Sequence, residues 1–229
     1  MTSDVVLEAV GLRRTFTTDE TRIDVLSDTE LTVHRGEVIG IVGASGVGKS
    51  TLLHILGSLD RPDAGRVRIG GVDIHSLSGK ALDQMRSRVL GFVFQFHFLL
   101  PEFTALENVM MPRLIAGEDH TKAAEKASYW LDKVGLTDRA SHRPAELSGG
   151  EQQRVAVARS LVNDPAVIMA DEPTGNLDEP TGETIHELIR SLADNENKTF
   201  VVVTHKRNFE KYADRVLELV DQRLVELEI

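Results

Sequence analysis

The chain has 229 residues, 41% of them apolar, enough to bury a sizeable core as one large domain or two modest ones. Lys and Arg number 26 against 36 Asp and Glu, a formal charge of −10 that disfavours nonspecific attraction to nucleic acid or anionic lipid, although local basic patches remain possible. The absence of cysteine excludes disulfides and thiolate metal sites. No run approaches the roughly 18 to 20 consecutive apolar residues of a membrane span. Met1 to Leu12 lack the basic and apolar regions of a secretory signal, so a cytoplasmic chain is expected.

In chain order, the first 35 residues alternate β-branched and polar side chains loosely around a turn-like Thr17 to Glu20, which predicts an antiparallel β flank. Short apolar runs follow at Val38 to Val42, Val89 to Phe94, Ala166 to Ala170 and Phe200 to Thr204, and each reads as a buried strand. An apolar helix is predicted over Thr51 to Leu59. Another carries Ile185, Leu188, Ile189 and Leu192 at i, i+3, i+4, i+7 spacing, with Pro180 near its start. Strand then helix, repeated, predicts a parallel α/β sheet. From about Phe96 to Ser160 the strand pattern stops. Ala127, Trp130, Leu131 and Val134 mark one amphipathic helix there, closed by Gly135. The expected organisation is one domain, with residues 1–95 and 161–229 forming the α/β core and 96–160 a helical insertion.

Gly43, Ala44, Ser45, Gly46, Val47, Gly48, Lys49 and Ser50 fit G-x-x-x-x-G-K-[ST] between a strand and a helix that begins near Thr51, the context that pattern requires. Glycines let the backbone curl around a phosphate with its N–H groups inward, and the helix adds its positive end. Lys49 can reach the β and γ oxygens of a nucleotide, and Ser50 can ligate Mg²⁺. The strand Ala166 to Ala170 then delivers Asp171 and Glu172 to its C-terminal edge, the ligand side of an open α/β sheet. Alone, Asp-Glu-Pro after a strand is a common solvated turn. Downstream of a phosphate loop, Asp171 suits the metal's water shell and Glu172 a water attacking the γ-phosphate. His205, ending another core strand, is a candidate γ-phosphate contact or a capping histidine.

Leu147-Ser148-Gly149-Gly150-Glu151, followed by Gln152-Gln153-Arg154 and an apolar-rich helix over Val155 to Leu161, is far more specific. Two glycines and a serine at a helix N-terminus form a second anion site. With this segment the chain resembles the ABC ATPase family over essentially its whole length. The resemblance implies a P-loop NTPase core with a mixed, mostly parallel sheet, an antiparallel β flank and an inserted α-helical subdomain. It implies ATP and Mg²⁺ as ligands and a head-to-tail dimer in which Ser148, Gly149, Gly150 and Glu151 of one cassette close over the phosphate held by the other.

By the same resemblance Phe16 falls where the family stacks an aromatic on adenine, although aromatic residues favour strands in any case. Gln95 matches a glutamine that touches Mg²⁺ and senses a membrane partner. Gly175-Asn176-Leu177-Asp178 fills the loop that crosses the dimer interface. Asp178 matches there, but Gly175 and Asn176 depart from the commoner Ser-Ala, and their contacts stay open.

The segment Phe94 to Val109 is unusually apolar and aromatic for a place beside an active site, and such a patch either seeks a partner or forms the small core of the insertion. Its wording resembles the ATPases of lipoprotein-releasing transporters, in a subfamily that also holds macrolide-type exporters and a cell-division ATPase. That likeness implies integral membrane subunits contacted through Gln95 to Asn108, and a peripheral location on the cytoplasmic face of the bacterial inner membrane. No nucleic-acid partner is expected. A nucleic-acid ATPase of the family would carry a long coiled-coil insertion or a second cassette, and neither is present.

Overall fold

The computed structural model describes residues 4–17 and 21–228. The chain runs β1 (Val5–Thr17), β2 (Arg22–His34), β3 (Val38–Val42), α1 (Lys49–Leu56), β4 (Ala64–Ile69), β5 (Val72–Asp73), α2 (Gly79–Val89) and β6 (Leu90–Phe94). It continues through α3 (Ala105–Ile115), α4 (His120–Lys133), α5 (Gly149–Leu161), β7 (Val167–Asp171), α6 (Glu179–Glu196), β8 (Phe200–Val203), β9 (Arg215–Val220) and β10 (Arg223–Leu227). A six-stranded sheet has the order β10-β9-β3-β8-β7-β6, parallel throughout except for β10. A second, four-stranded antiparallel sheet has the order β2-β1-β4-β5. The predicted flank is therefore larger than its first 35 residues. The turn expected at Thr17 to Glu20 falls on residues 18–20, outside the described residues.

The apolar runs are continuous because the large sheet is covered on both faces. Successive side chains along a strand point to opposite sides. Val167 and Met169 of β7, with Val201 and Val203 of β8, join a core shared with α1 and the antiparallel sheet. Ile168 and Ala170, with Phe200 and Val202, join the opposite core, shared with α3 to α6. One helix differs from expectation: α1 starts at Lys49 and stops at Leu56, not Leu59, because Gly57 caps it and Ser58 turns left-handed at φ 58°. α4 ends as predicted, with Gly135 at φ 72°.

Within 96–160 the structure holds three α-helices, where the sequence marked α4 and the apolar-rich run after residues 147–151. α3 starts at a capping box: Glu107 N–H donates to Thr104 Oγ1 (3.2 Å) and Thr104 N–H to Glu107 Oε2 (2.8 Å). Its Asn108 is fully buried and donates to the carbonyls of Leu100, Phe103 and Thr104, which fixes the loop ahead of the helix. These helices meet the sheet at Gly91 of β6, where a Cβ would lie 2.5 Å from the main-chain oxygen of Ser160 in α5.

Two outcomes follow from this packing. Gly91→Ala pushes a methyl into backbone that cannot retreat, and should lower stability by about 1–3 kcal/mol, read as a lower urea midpoint with an unchanged slope. His186 of α6 is buried edge-on against Phe209, shares a hydrogen bond with Thr174 Oγ1 (3.1 Å), and has no partner for Nδ1. Burial, aided by the Lys206 charge, pushes its pKa down to about 4 from 6.5. Between those two values the unfolded chain binds a proton that the native chain refuses, so stability rises with pH through this window and is lost as pH falls. Going from pH 7.5 to 5.0 should cost about 2 kcal/mol through this group. Urea titrations of wild type and His186→Met at both pH values should show the wild type losing about 2 kcal/mol more unfolding free energy between them than the variant.

Candidate active site

The phosphate-loop residues 43–50 leave β3 and enter α1. Gly48 sits at the helix start with φ 113°, and a Cβ there would stand 2.2 Å from Val25 Cγ1, so only glycine fits. No side chain caps α1, which leaves its first N–H groups for an anion. The Lys49 ammonium is buried and donates to the carbonyls of Gly43 and Ala44, both at 3.0 Å. The cation is thus held within the loop it serves.

Parallel register brings the other groups to the same edge. Asp171 of β7 lies level with Phe94 of β6 and Val203 of β8, so Gln95, Glu172 and His205 emerge side by side. A cavity of about 400 Å³ gathers Lys49, Ser50, Thr51, Gln95, Glu172 and His205 beside Ser45, Gly46 and Gly48. Ser50 Oγ donates to Asp171 Oδ1 at 3.0 Å. Burial raises the Asp171 pKa, while the Ser50 hydrogen bond and the nearby His54 oppose that rise. Glu172 adopts φ 47°, a strained conformation for a residue with a Cβ. Its Oε2 meets His205 Nδ1 at 2.8 Å and the His205 N–H at 3.3 Å.

These groups fit a small hard cation bound with a nucleotide. A hydroxyl, a carboxylate and an amide are oxygen donors of the kind Mg²⁺ takes alongside phosphates and water. Among the described residues no group of three or more His, Cys, Asp or Glu is placed to hold a metal ion.

The other predicted residues lie elsewhere. Ser148 caps α5, and its hydroxyl and N–H both donate to Glu151 Oε2 at 2.9 and 2.8 Å. Arg139 donates to Glu151 Oε1 at 2.9 Å, a pairing that nothing in the sequence announces. The Ser148 N–H and hydroxyl, then Arg139, hold the Glu151 pKa below its ordinary value. A separate cavity of about 500 Å³ is lined by Ser148, Gly150, Glu151 and Arg154, with Thr181 of α6. It shares no residue with the first, and Gly149 opens α5 beside it. Asp178 caps α6, accepting from the Thr181 N–H at 3.4 Å. Phe16 is exposed on β1 with the Arg14 guanidinium over its ring at 4.7 Å, outside either cavity. Sequence reasoning left Asn176 unassigned, yet it bonds to Gln95; its departure from the commoner residue was the available signal.

Residues 26–175 match the family described as ABC transporter. The chain is 54% identical over 220 residues to a Geobacter metallireducens protein, the lipoprotein-releasing system ATP-binding protein LolD, covering 96% of this chain and 98% of that one. It is 54% identical over 199 residues to the Bacteroides thetaiotaomicron protein of the same name, covering 87% and 91%. Its fold is similar to the dimeric ATP-binding cassette MJ0796 solved with ADP and phosphate, with a TM-score of 0.86, 38% identity and coverage of 97% and 98%. With a phosphate loop, an acidic strand end and a helix-capping Ser-Gly-Gly on one such scaffold, the chain belongs to the ABC transporter family, as one of its ATP-hydrolysing subunits.

Proposed function

We propose that the chain powers a transporter releasing lipoproteins from the bacterial inner membrane, acting at its cytoplasmic face as a pair of cassettes beneath integral membrane subunits. The observation that carries the paired reading is the separation of its two anion sites: the cavity at Lys49 and the cavity at Ser148 have no residue in common. One γ-phosphate can use both only if a second copy brings its own α5 to the first copy's loop. Relatives about half identical over nearly the whole chain support the cargo. No helix among the described residues is long and apolar enough to cross a membrane, so spanning segments would come from a partner.

In this reading the loop N–H groups and Lys49 hold the β- and γ-phosphates, with Thr51 at the rim and Phe16 beside the base. Ser50, Gln95 and Asp171 would hold Mg²⁺, which would supply positive charge against the negative charge of the phosphates. Glu172 Oε2 takes a proton from the attacking water, while His205 orients that carboxylate and reaches the γ-phosphate. Ser148, Gly149, Gly150 and Glu151 of the second copy close the pocket, and Asp178 lies along the seam. Membrane subunits dock on the segment after Gln95, where Phe96 and Phe98 are 63% and 66% exposed, with Leu100 and Phe103 beside them. Asn108, buried beneath, braces that segment instead of meeting a partner.

Glu172→Gln should bind ATP normally, lose about 100-fold or more in turnover, and sediment as a dimer in ATP. Phosphate release at the wild-type rate would remove Glu172 as the base. For cargo, the chain reconstituted with the membrane subunits of its own organism should release a triacylated protein from proteoliposomes on adding ATP. ATP turnover that rises with those subunits but frees no lipid-modified protein would discard lipoprotein release and keep the ATPase.

A further inference from the structure

Gln95 and Asn176 are 81 positions apart and bonded twice. Gln95 Nε2 donates to Asn176 Oδ1 at 2.9 Å, and Asn176 Nδ2 donates to the main-chain oxygen of Gln95 at 3.2 Å. Gly175 makes room for this pair: a Cβ there would sit 2.9 Å from Gln95 Nε2, 3.0 Å from Cδ and 3.1 Å from Cγ. The carboxamide therefore lies against the Gly175 backbone, and a serine at 175 would displace it. An alanine at 176 would break both hydrogen bonds.

A carboxamide has one face that donates and one that accepts, and only its oxygen can ligate a cation. In this structure the nitrogen is committed to Asn176, while Oε1 accepts no hydrogen bond from any described residue. We infer that Asn176 is a positioning residue that fixes the flip of the Gln95 amide, so that its oxygen is left for a divalent cation in the cavity Gln95 lines. The inference rests on the reading of Gln95 as a metal partner. It gives the Gly175-Asn176 pair a joint role: glycine clears the surface on which the amide rests, and asparagine holds the amide in one orientation. It also ties the segment leaving β6 to the loop 175–178 within a single chain. A group that orients a metal ligand typically accounts for 10- to 100-fold in metal affinity, and an exposed pair belongs near the lower bound.

The experiment reads metal binding directly. Mn²⁺ replaces Mg²⁺ and is titrated by electron paramagnetic resonance into the chain loaded with β,γ-imido-ATP. The variants are Asn176→Ala, Gln95→Ala and the double substitution, each also tested for nucleotide binding in EDTA. Asn176→Ala should weaken Mn²⁺ binding about 10-fold, Gln95→Ala at least as much, and the double variant no more than Gln95→Ala. Nucleotide binding in EDTA should be unchanged in all three. Wild-type Mn²⁺ affinity in Asn176→Ala overturns the inference, as does an equal loss on adding that change to Gln95→Ala. Loss of metal-free nucleotide binding in Asn176→Ala overturns it too, since Asn176 would then be holding the loop itself. If Gln95→Ala alone keeps wild-type Mn²⁺ affinity, the reading of Gln95 as a metal partner fails first.

Discussion

The structure depends on the parallel register of four neighbouring strands. Val38 of β3 and Ile168 of β7 both stand opposite Phe200 of β8, and Val167 of β7 stands opposite Leu90 of β6. Strands of four or five residues that start level also end level, so their last residues form one rim. The phosphate loop, Gln95 and Glu172 occupy that rim because they follow their strands directly, Asp171 because it ends β7, and His205 because it lies two residues past β8. The site is the place where four buried strands stop together. Its precision is inherited from the packing on both faces of the sheet, where Phe200 is fully buried on one side and Val201 on the other.

The charged groups around that rim are hydrogen-bonded within the chain. Lys49 lies against two carbonyls of its own loop, Asp171 accepts from Ser50, and Glu172 is paired with His205. At the proposed second phosphate site the Glu151 carboxylate stands where negative charge is favoured, at the start of α5, and Arg139 offsets it. A phosphate entering either site exchanges one set of partners for another instead of meeting bare charge. Such exchange is less sensitive to desolvation than binding to an isolated ion, because each group keeps a partner on either side of the event.

What the sequence made legible was local chemistry. The phosphate loop and the segment 147–151 are contiguous and stand out through their spacing, whereas the Asp171-Glu172 step gained meaning only downstream of a phosphate loop. The buried strands β3, β6, β7 and β8 were legible because they are apolar on both faces; β9, with Arg215 and Glu218 among its apolar residues, was not. β4 and β5 were not, since Ala64–Ile69 carries two arginines and Val72–Asp73 is too short for a period. α3 escaped because its apolar face is broad and Pro112 lies inside it, although Thr104 and Glu107 carry the signature of a helix start. Hidden most completely were pairs distant along the chain: Gln95 with Asn176, Glu151 with Arg139, Thr174 with His186. No periodicity encodes those, because each is fixed by where two elements happen to meet.

The seam between β6 and α5 carries a mechanical consequence. Gly91 lets the two backbones approach more closely than any side chain would allow. Beyond it, Arg159 of α5 grips the main-chain oxygens of His97 and Phe98 at 2.7 Å each, and Gln153 bonds His97. The exposed aromatic segment is thus bonded directly to the helix whose far end is Ser148. Any partner that pulls on this segment therefore pulls on two side chains of α5, Arg159 and Gln153.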